Sequence, residues 1–213
     1  MKIEIFIYLF LLGFSILLVG CLPKKEQEVK NLEGGEQKMG VLSDKKVLMV
    51  IAPKNFRDEE FFKSRVALQS EGARVVIASK TTEEVTGMLG GKTKPDINLS
   101  EVNVQDYDAV VFIGGTGSSV YFNDQQALNL AKEAVGQNKI VGAICVAPSI
   151  LANAGVLKGK KATSFSSERG NLEAKGASFV DQPVVADGKI VTATGPQSAE
   201  EFGQKVAEVL GKK

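Results

Sequence analysis

The cysteine at position 145 stands where side-chain chemistry is easiest to arrange, in Gly142-Ala-Ile-Cys145-Val-Ala-Pro148. The apolar run from Ile140 to Ile144 predicts a buried strand, and the small and apolar residues from Pro148 to Ala154 predict a helix that Pro148 starts. Cys145 therefore falls on a strand-to-helix turn. Such an elbow lifts a side chain above the sheet edge and aims the N–H groups of the new helix at it, Val146 first, which favours a thiolate. The same residue also reads as a small buried hydrophobe closing a core strand, because unpaired cysteine is among the most buried residue types.

Two other stretches carry groups of chemical interest, Asp58-Glu59-Glu60 and Gly114-Gly115-Thr116-Gly117. Acids that open a helix are favoured by its dipole, so most of the acidic run reads as ordinary first-turn charge. The glycine run lacks the third glycine of a dinucleotide fingerprint and the lysine of a P-loop. It reads as a tight turn that bares backbone N–H groups, able to hold an oxyanion or merely to make the corner. The sequence contains no histidine. That absence excludes Ser-His-Asp and Cys-His pairs, imidazole bases and His-based metal sites. The acidic run alone converges too few oxygens for a hard divalent ion, so neither a metal nor another cofactor is expected. With 26 basic and 25 acidic side chains among 213 residues, the charge directs the chain to no nucleic acid.

The elements that must position these groups follow from apolar patterning. Lys46 to Ala52 and Asp108 to Ile113 read as strands buried on both faces, and Arg74 to Ser79 as another strand. Asp58 to Gln69 reads as a helix with Phe61, Phe62 and Val66 on its buried side and Gly72 closing it. Asn123 to Gly136 is a second helix, with Leu128, Ala131 and Val135 along one face, and a last helix buries Phe202, Val206, Val209 and Leu210. Thr81 to Gln105 reads as irregular with a short hairpin, and a short strand is expected near Ala162 to Phe165. Val184–Ala186 and Lys189–Thr194 form a hairpin across Asp187-Gly188. This order is that of an α/β fold, a doubly wound, mostly parallel sheet with helices on both faces, the flavodoxin-like three-layer sandwich. In such sheets the loops leaving the carboxyl ends of the strands converge, so an acid, the glycine turn and the thiol are expected around one cleft.

A helix-opening acid, Gly-Gly after the next long strand, Ala-Ile-Cys in an elbow and Ala193-Thr-Gly-Pro196 before the last helix together resemble the ThiJ/PfpI family, within the class I glutamine amidotransferase-like superfamily. The likeness runs from about Lys46 to Leu210 and includes Leu157-Lys-Gly-Lys-Lys-Ala-Thr163. It implies that Cys145 is the reactive cysteine and that Glu60 is the buried acid bonding its sulfur. It also implies that the backbone of Gly114 and Gly115 lines the pocket, and that Gly195 and Pro196 form the loop before the closing helix. Homodimers are common in the family, so one is expected here. Where one branch of the family has histidine directly after the cysteine, this chain has Val146; where another has it downstream, this chain has Phe165, which with Pro196 is expected to line the pocket. A Cys-His peptidase is therefore not expected. What remains is a thiol and an acid, which the thiol's like charge would push toward its protonated form. The pair suits addition to a small reactive carbonyl followed by proton transfer, or oxidation by peroxide in a stress response. The other reading is a binding or scaffold domain that kept the fold without catalysis.

The first residues point to export. Lys2 precedes an apolar run from Ile5 to Val19, too short for a comfortable membrane span, and the run ends at Gly20-Cys21. The ending resembles a lipobox. Residues 1–20 are expected to be a lipoprotein signal peptide, and residues 21–44 a flexible tether lipidated at Cys21. Residues 45–213 are expected to be the α/β domain, outside the cytoplasm on a membrane surface.

Overall fold

The structure, a computed structural model, describes residues 41–212. The expected signal peptide, Cys21 and the expected tether as far as residue 40 lie outside the described residues. The tether was expected to reach Asp44, yet Leu42 is already buried and its N–H donates to Glu71 O at 2.9 Å. Among the described residues no helix is long and apolar enough to cross a membrane.

In chain order the strands and helices begin with β1 (Lys46–Val50), β2 (Lys54–Phe56), α1 (Asp58–Ser70), β3 (Arg74–Ser79), β4 (Val85–Gly87), β5 (Lys92–Thr93) and β6 (Ile97–Asn98). They continue with β7 (Ala109–Phe112), α2 (Gln125–Gly136), β8 (Ile140–Ile144), α3 (Pro148–Asn153), β9 (Lys161–Ala162) and α4 (Arg169–Ala174). The last are β10 (Ser178–Phe179), β11 (Val184–Asp187), β12 (Ile190–Ala193) and α5 (Ala199–Gly211). Seven strands form the central sheet in the order β11-β12-β8-β7-β1-β3-β6. Every neighbouring pair is parallel except β11 and β12, which form the Asp187-Gly188 hairpin. The expected doubly wound sheet is what the chain builds.

The strands are apolar on both faces because both are covered. Val47, Met49, Val111 and Ile113 face α1 and α5, which contribute Phe61, Leu68, Phe202, Val206 and Leu210. Leu48, Val50, Val110 and Phe112 face α2 and α3 with Leu128, Ala131, Ile150 and Leu151. Chain order reverses beside β1, which has β3 on one side and β7 on the other. Loops from β1 and β7 thus diverge there and open a crevice above their carboxyl ends.

Three local readings change. The face that α1 buries is not that of Phe61, Phe62 and Val66: Val66 is exposed, and the helix instead buries Glu60, Phe61, Ser64, Ala67 and Leu68. Apolar periodicity misplaces the stripe because two of its members are polar, Ser64 donating to Ala199 O at 3.0 Å and Glu60 serving the cleft. The hairpin expected after Thr81 forms as β4 and β5, but it joins β2 in a separate three-stranded sheet. Lastly, the strand near Ala162 ends there, and the unforeseen α4 follows Phe165 after one turn.

The hairpin is tied to α1 by Asp58. This buried carboxylate accepts from Leu89 N–H at 2.8 Å and from Gly91 N–H at 2.6 Å. Hydrogen bonds to a carboxylate contribute about 1.5–3 kcal/mol each, so losing both in Asp58→Ala is expected to lower unfolding free energy by about 3–6 kcal/mol. Amide exchange should rise at Leu89 and Gly91 far more than in the central sheet; unchanged protection there would refute the assignment.

Candidate active site

Cys145 sits on the elbow that the sequence predicts. Its φ of 64° lies in the left-handed region, uncommon for a side-chain-bearing residue and a mark of a strained turn. Hydrogen bonds on both sides enforce it: Cys145 N–H donates to Ala193 O at 2.9 Å, and Phe165 N–H donates to Cys145 O at 2.8 Å. The strands on which these bonds depend, β8 and β12, run in parallel register, with Ile144 opposite Ala193. The residue is 8% exposed and belongs to the core that α1 and α5 cover. Both sequence readings of Cys145 thus describe part of it.

Glu60, fully buried in the first turn of α1, meets the thiol from the opposite side. Gly114 N–H donates to Glu60 Oε2 at 3.1 Å, and Oε1 has no other partner in the fold. The carboxyl and thiol are close enough to shift each other's proton affinity. Gly114 permits this closeness: a Cβ there would stand 2.6 Å from Cys145 Cβ and 2.7 Å from Glu60 Oε2. The expectation that Gly114 offers its N–H to an oxyanion is therefore corrected, since Glu60 already takes it. Gly115, at φ 92°, turns the chain so that its own N–H and that of Val146 lie near enough to the sulfur to favour its negative form.

The two acids share one protonation problem. Burial above all pushes the Glu60 carboxyl up to about 7, while its bonds to Cys145 and to Gly114 N–H, and the Arg57 charge, pull it back. Burial first, and then the Glu60 charge, push the Cys145 thiol up to about 12, against the N–H groups of Gly115 and Val146. Two expectations change here. A bare thiolate is not the resting form, because the helix-end N–H groups are outweighed by burial. Desolvation, rather than the thiol's like charge, is the main reason Glu60 keeps a proton. The pair titrates as a unit, and between its two steps a single proton is shared across the Glu60–Cys145 contact.

Phe165 and Gly195 complete the surround. A Cβ on Gly195 would lie 3.9 Å from Glu60 Oε1 and 3.9 Å from Phe165 Cδ2, so carboxyl and ring edge flank one gap. Pro196 opens the one-turn helix Pro196–Ser198 that follows, half-buried, and no hydrogen bond ties it to the pair. Arg57 was not foreseen. It caps α1, donates its backbone N–H to Gly114 O at 3.1 Å, and is paired through Nε to Glu59 at 2.8 Å, near enough to Glu60 and Cys145 to favour negative charge there. Adjacency to the acidic run was its only sequence signal. Among the described residues no three His, Cys, Asp or Glu side chains converge as metal ligands.

The assembled groups can take a thiol proton, return it to a nearby atom, and exclude bulk water while doing so. Similarities to known proteins fall on the same region. The model of the DJ-1/PfpI family matches residues 45–209. An uncharacterised protein of Methanocaldococcus jannaschii is 42% identical over 184 residues, spanning 85% of this chain and 90% of that protein. Deglycase PfpI of Pyrococcus furiosus is 34% identical over 149 residues, 70% of this chain and 90% of its own. The crystal structure of a ThiJ/PfpI domain protein from Brachyspira murdochii superposes with a TM-score of 0.76 at 36% identity, covering 78% of this chain and 95% of that one.

Proposed function

The chain belongs to the DJ-1/PfpI family, and on that premise we propose that it is an enzyme acting on small reactive carbonyl compounds through Cys145 and Glu60. The observation that carries the reading is the buried Glu60 carboxyl, oriented by Gly114 N–H, with its other oxygen unpaired, and near enough to the thiol for the two to shift each other's proton affinity. A relative that is 34% identical bears the name deglycase, which agrees with carbonyl chemistry.

With an α-oxoaldehyde the steps follow from the two groups. As the thiol proton passes to Glu60, sulfur attacks the aldehyde carbon; the carbonyl π bond opens onto oxygen, which takes the proton back and leaves a hemithioacetal. Glu60 as carboxylate then removes the proton from that carbon, and the electron pair opens the neighbouring carbonyl to an enediol as its oxygen takes up a proton. Return of the carbon-bound proton from Glu60 to the neighbouring carbon, with loss of the first hydroxyl's proton, gives a thioester of a 2-hydroxy acid. Water cleaves the thioester and restores the thiol. No histidine is needed, because a carboxyl whose pKa lies near 7 can both accept and donate at neutral pH.

Methylglyoxal consumption by the chain from residue 41 onward tests this. Cys145→Ala is expected to abolish turnover, and full retention of activity would remove the cysteine from the mechanism. A ligand that raises the melting temperature equally in wild type and Cys145→Ala, with no turnover in either, would instead identify a binding domain.

We further propose that Cys21 is lipidated and holds the domain on the outer side of the membrane, and that the domain forms a homodimer. The apolar run ending at Gly20-Cys21 supports the first, and the family's habit the second. Cys21→Ser should shift the full chain from the membrane fraction to the soluble one; continued sedimentation with membranes would overturn the lipid anchor.

A further inference from the structure

Phe165 is 46% exposed beside a cysteine site that otherwise hides its groups. Its ring edge and the Glu60 carboxyl flank the gap at Gly195. The ring also lines a cavity of about 320 Å³ together with Ser164, Arg169, Phe179, Thr194 and Gln197. The chain around this ring is clasped to the elbow twice. Phe165 N–H donates to Cys145 O at 2.8 Å. Three residues on, Glu168 returns to α3, where Ser149 Oγ–H donates to Glu168 Oε2 at 2.5 Å.

Ser149 is fully buried in the first turn of the helix that carries the elbow. It also accepts from Asn171 Nδ2 at 3.0 Å; the same amide reaches Asn153 Oδ1 at 3.2 Å, and Asn153 Nδ2 donates to Phe122 O at 2.8 Å. A small apolar residue could fill the space of Ser149, and a satisfied buried polar network in its place selects one arrangement of the elements it joins. Here those elements are the elbow helix and the turn that presents Phe165.

We propose that Phe165 is the specificity-determining wall of the cysteine site, and that Ser149 and Glu168 are positioning residues that hold it there. The clasp sets the width of the approach to Cys145, so the thiol meets slender carbonyl compounds and turns away those branched beside the carbonyl. The proposal rests on Cys145 being the nucleophile, and its test separates the two ideas.

The chain has no tryptophan, so Phe165→Trp provides a single reporter at the wall. In that background Ser149→Ala and Glu168→Ala are expected to raise acrylamide quenching about twofold, whereas Glu168→Gln, whose amide oxygen still accepts from Ser149, should leave it unchanged. With Phe165 in place, the second readout is the ratio of Cys145 alkylation rates for iodoacetamide and a bulky N-aryl maleimide. That ratio should fall about tenfold in Phe165→Ala and part of the way in Ser149→Ala and Glu168→Ala, a displacement near the reacting atom being costly. Quenching or size ratio unmoved by Ser149→Ala would overturn the proposal, as would Glu168→Gln behaving like Glu168→Ala. If neither reagent labels the thiol, the assignment of Cys145 as nucleophile fails, and the tryptophan signal still decides the clasp.

Discussion

Glutamine in place of Glu60 is expected to uncouple thiol reactivity from turnover. The substitution keeps the shape and the Gly114 N–H bond but removes the charge that helps push the Cys145 thiol up to about 12. Alkylation of Cys145 by iodoacetamide should therefore begin at lower pH in Glu60→Gln than in wild type. Carbonyl turnover should fall at the same time by about 10²–10⁴, the usual contribution of a positioned acid–base group, because an amide moves no proton between carbons. A variant that alkylates faster and also turns over at the wild-type rate would leave Glu60 without its catalytic role.

The same substitution should change how stability depends on pH. Glu60 holds its proton to about 7 in the fold, against an ordinary value of 4.5. A raised acid contributes stability that is fully present below the unfolded value and is lost as pH rises through the folded one. At 1.36 kcal/mol per unit the loss is on the order of 3 kcal/mol across that window. Wild type should thus melt at progressively lower temperature from about pH 4.5 to about pH 7, and Glu60→Gln should lose much less over the same range. Parallel curves for the two proteins would mean that Glu60 is already ionised in the fold.

Alanine at Gly114 is the second large effect. The new methyl group would stand 2.6 Å from Cys145 Cβ and 2.7 Å from both Glu60 Oε2 and the Ile144 carbonyl oxygen. Cys145 Cβ and the Ile144 carbonyl cannot swing aside, and Glu60 Oε2 is buried and held by Gly114 N–H, so the sheet edge and the catalytic pair must separate. Overpacking of this kind costs about 1–3 kcal/mol in stability. A shift of about 1 Å at the reacting groups costs about 10² in rate, so turnover should fall more than stability implies. Gly136→Ala is the control: nothing lies within 4 Å of its added Cβ, and at the end of α2 it should be neutral or stabilising by about 0.5–1 kcal/mol. If both variants turn over normally, the tight approach at Gly114 has no functional meaning.

Much of this could be read along the chain because the relevant physics is local. The runs Val47–Ala52, Ala109–Ile113 and Ile140–Ile144 hold no polar side chain, which only a sheet covered on both faces tolerates, and the parallel topology follows from the helices between them. Cys145 could be placed on an elbow by the strand before it and Pro148 after it. The absence of histidine limited the chemistry before any coordinate was known. Glu60 could be singled out only through family resemblance, since three acids in a row look alike in sequence.

The tertiary structure decided what depends on residues far apart. Whether Glu60 or Glu59 enters the core is set by how α1 packs against α5, through Ser64 and Ala199, a contact 135 residues apart in sequence. Gly114 N–H is taken by Glu60 because two strand ends meet, and no pattern in the glycine run announces it. The protonation of the pair reverses the local expectation: an elbow favours a thiolate, but burial that arises only on folding holds both protons more tightly. Phe165, Ser149 and Glu168 are unremarkable one by one, and their joint placement around Cys145 exists only once α3 and the turn before α4 lie side by side.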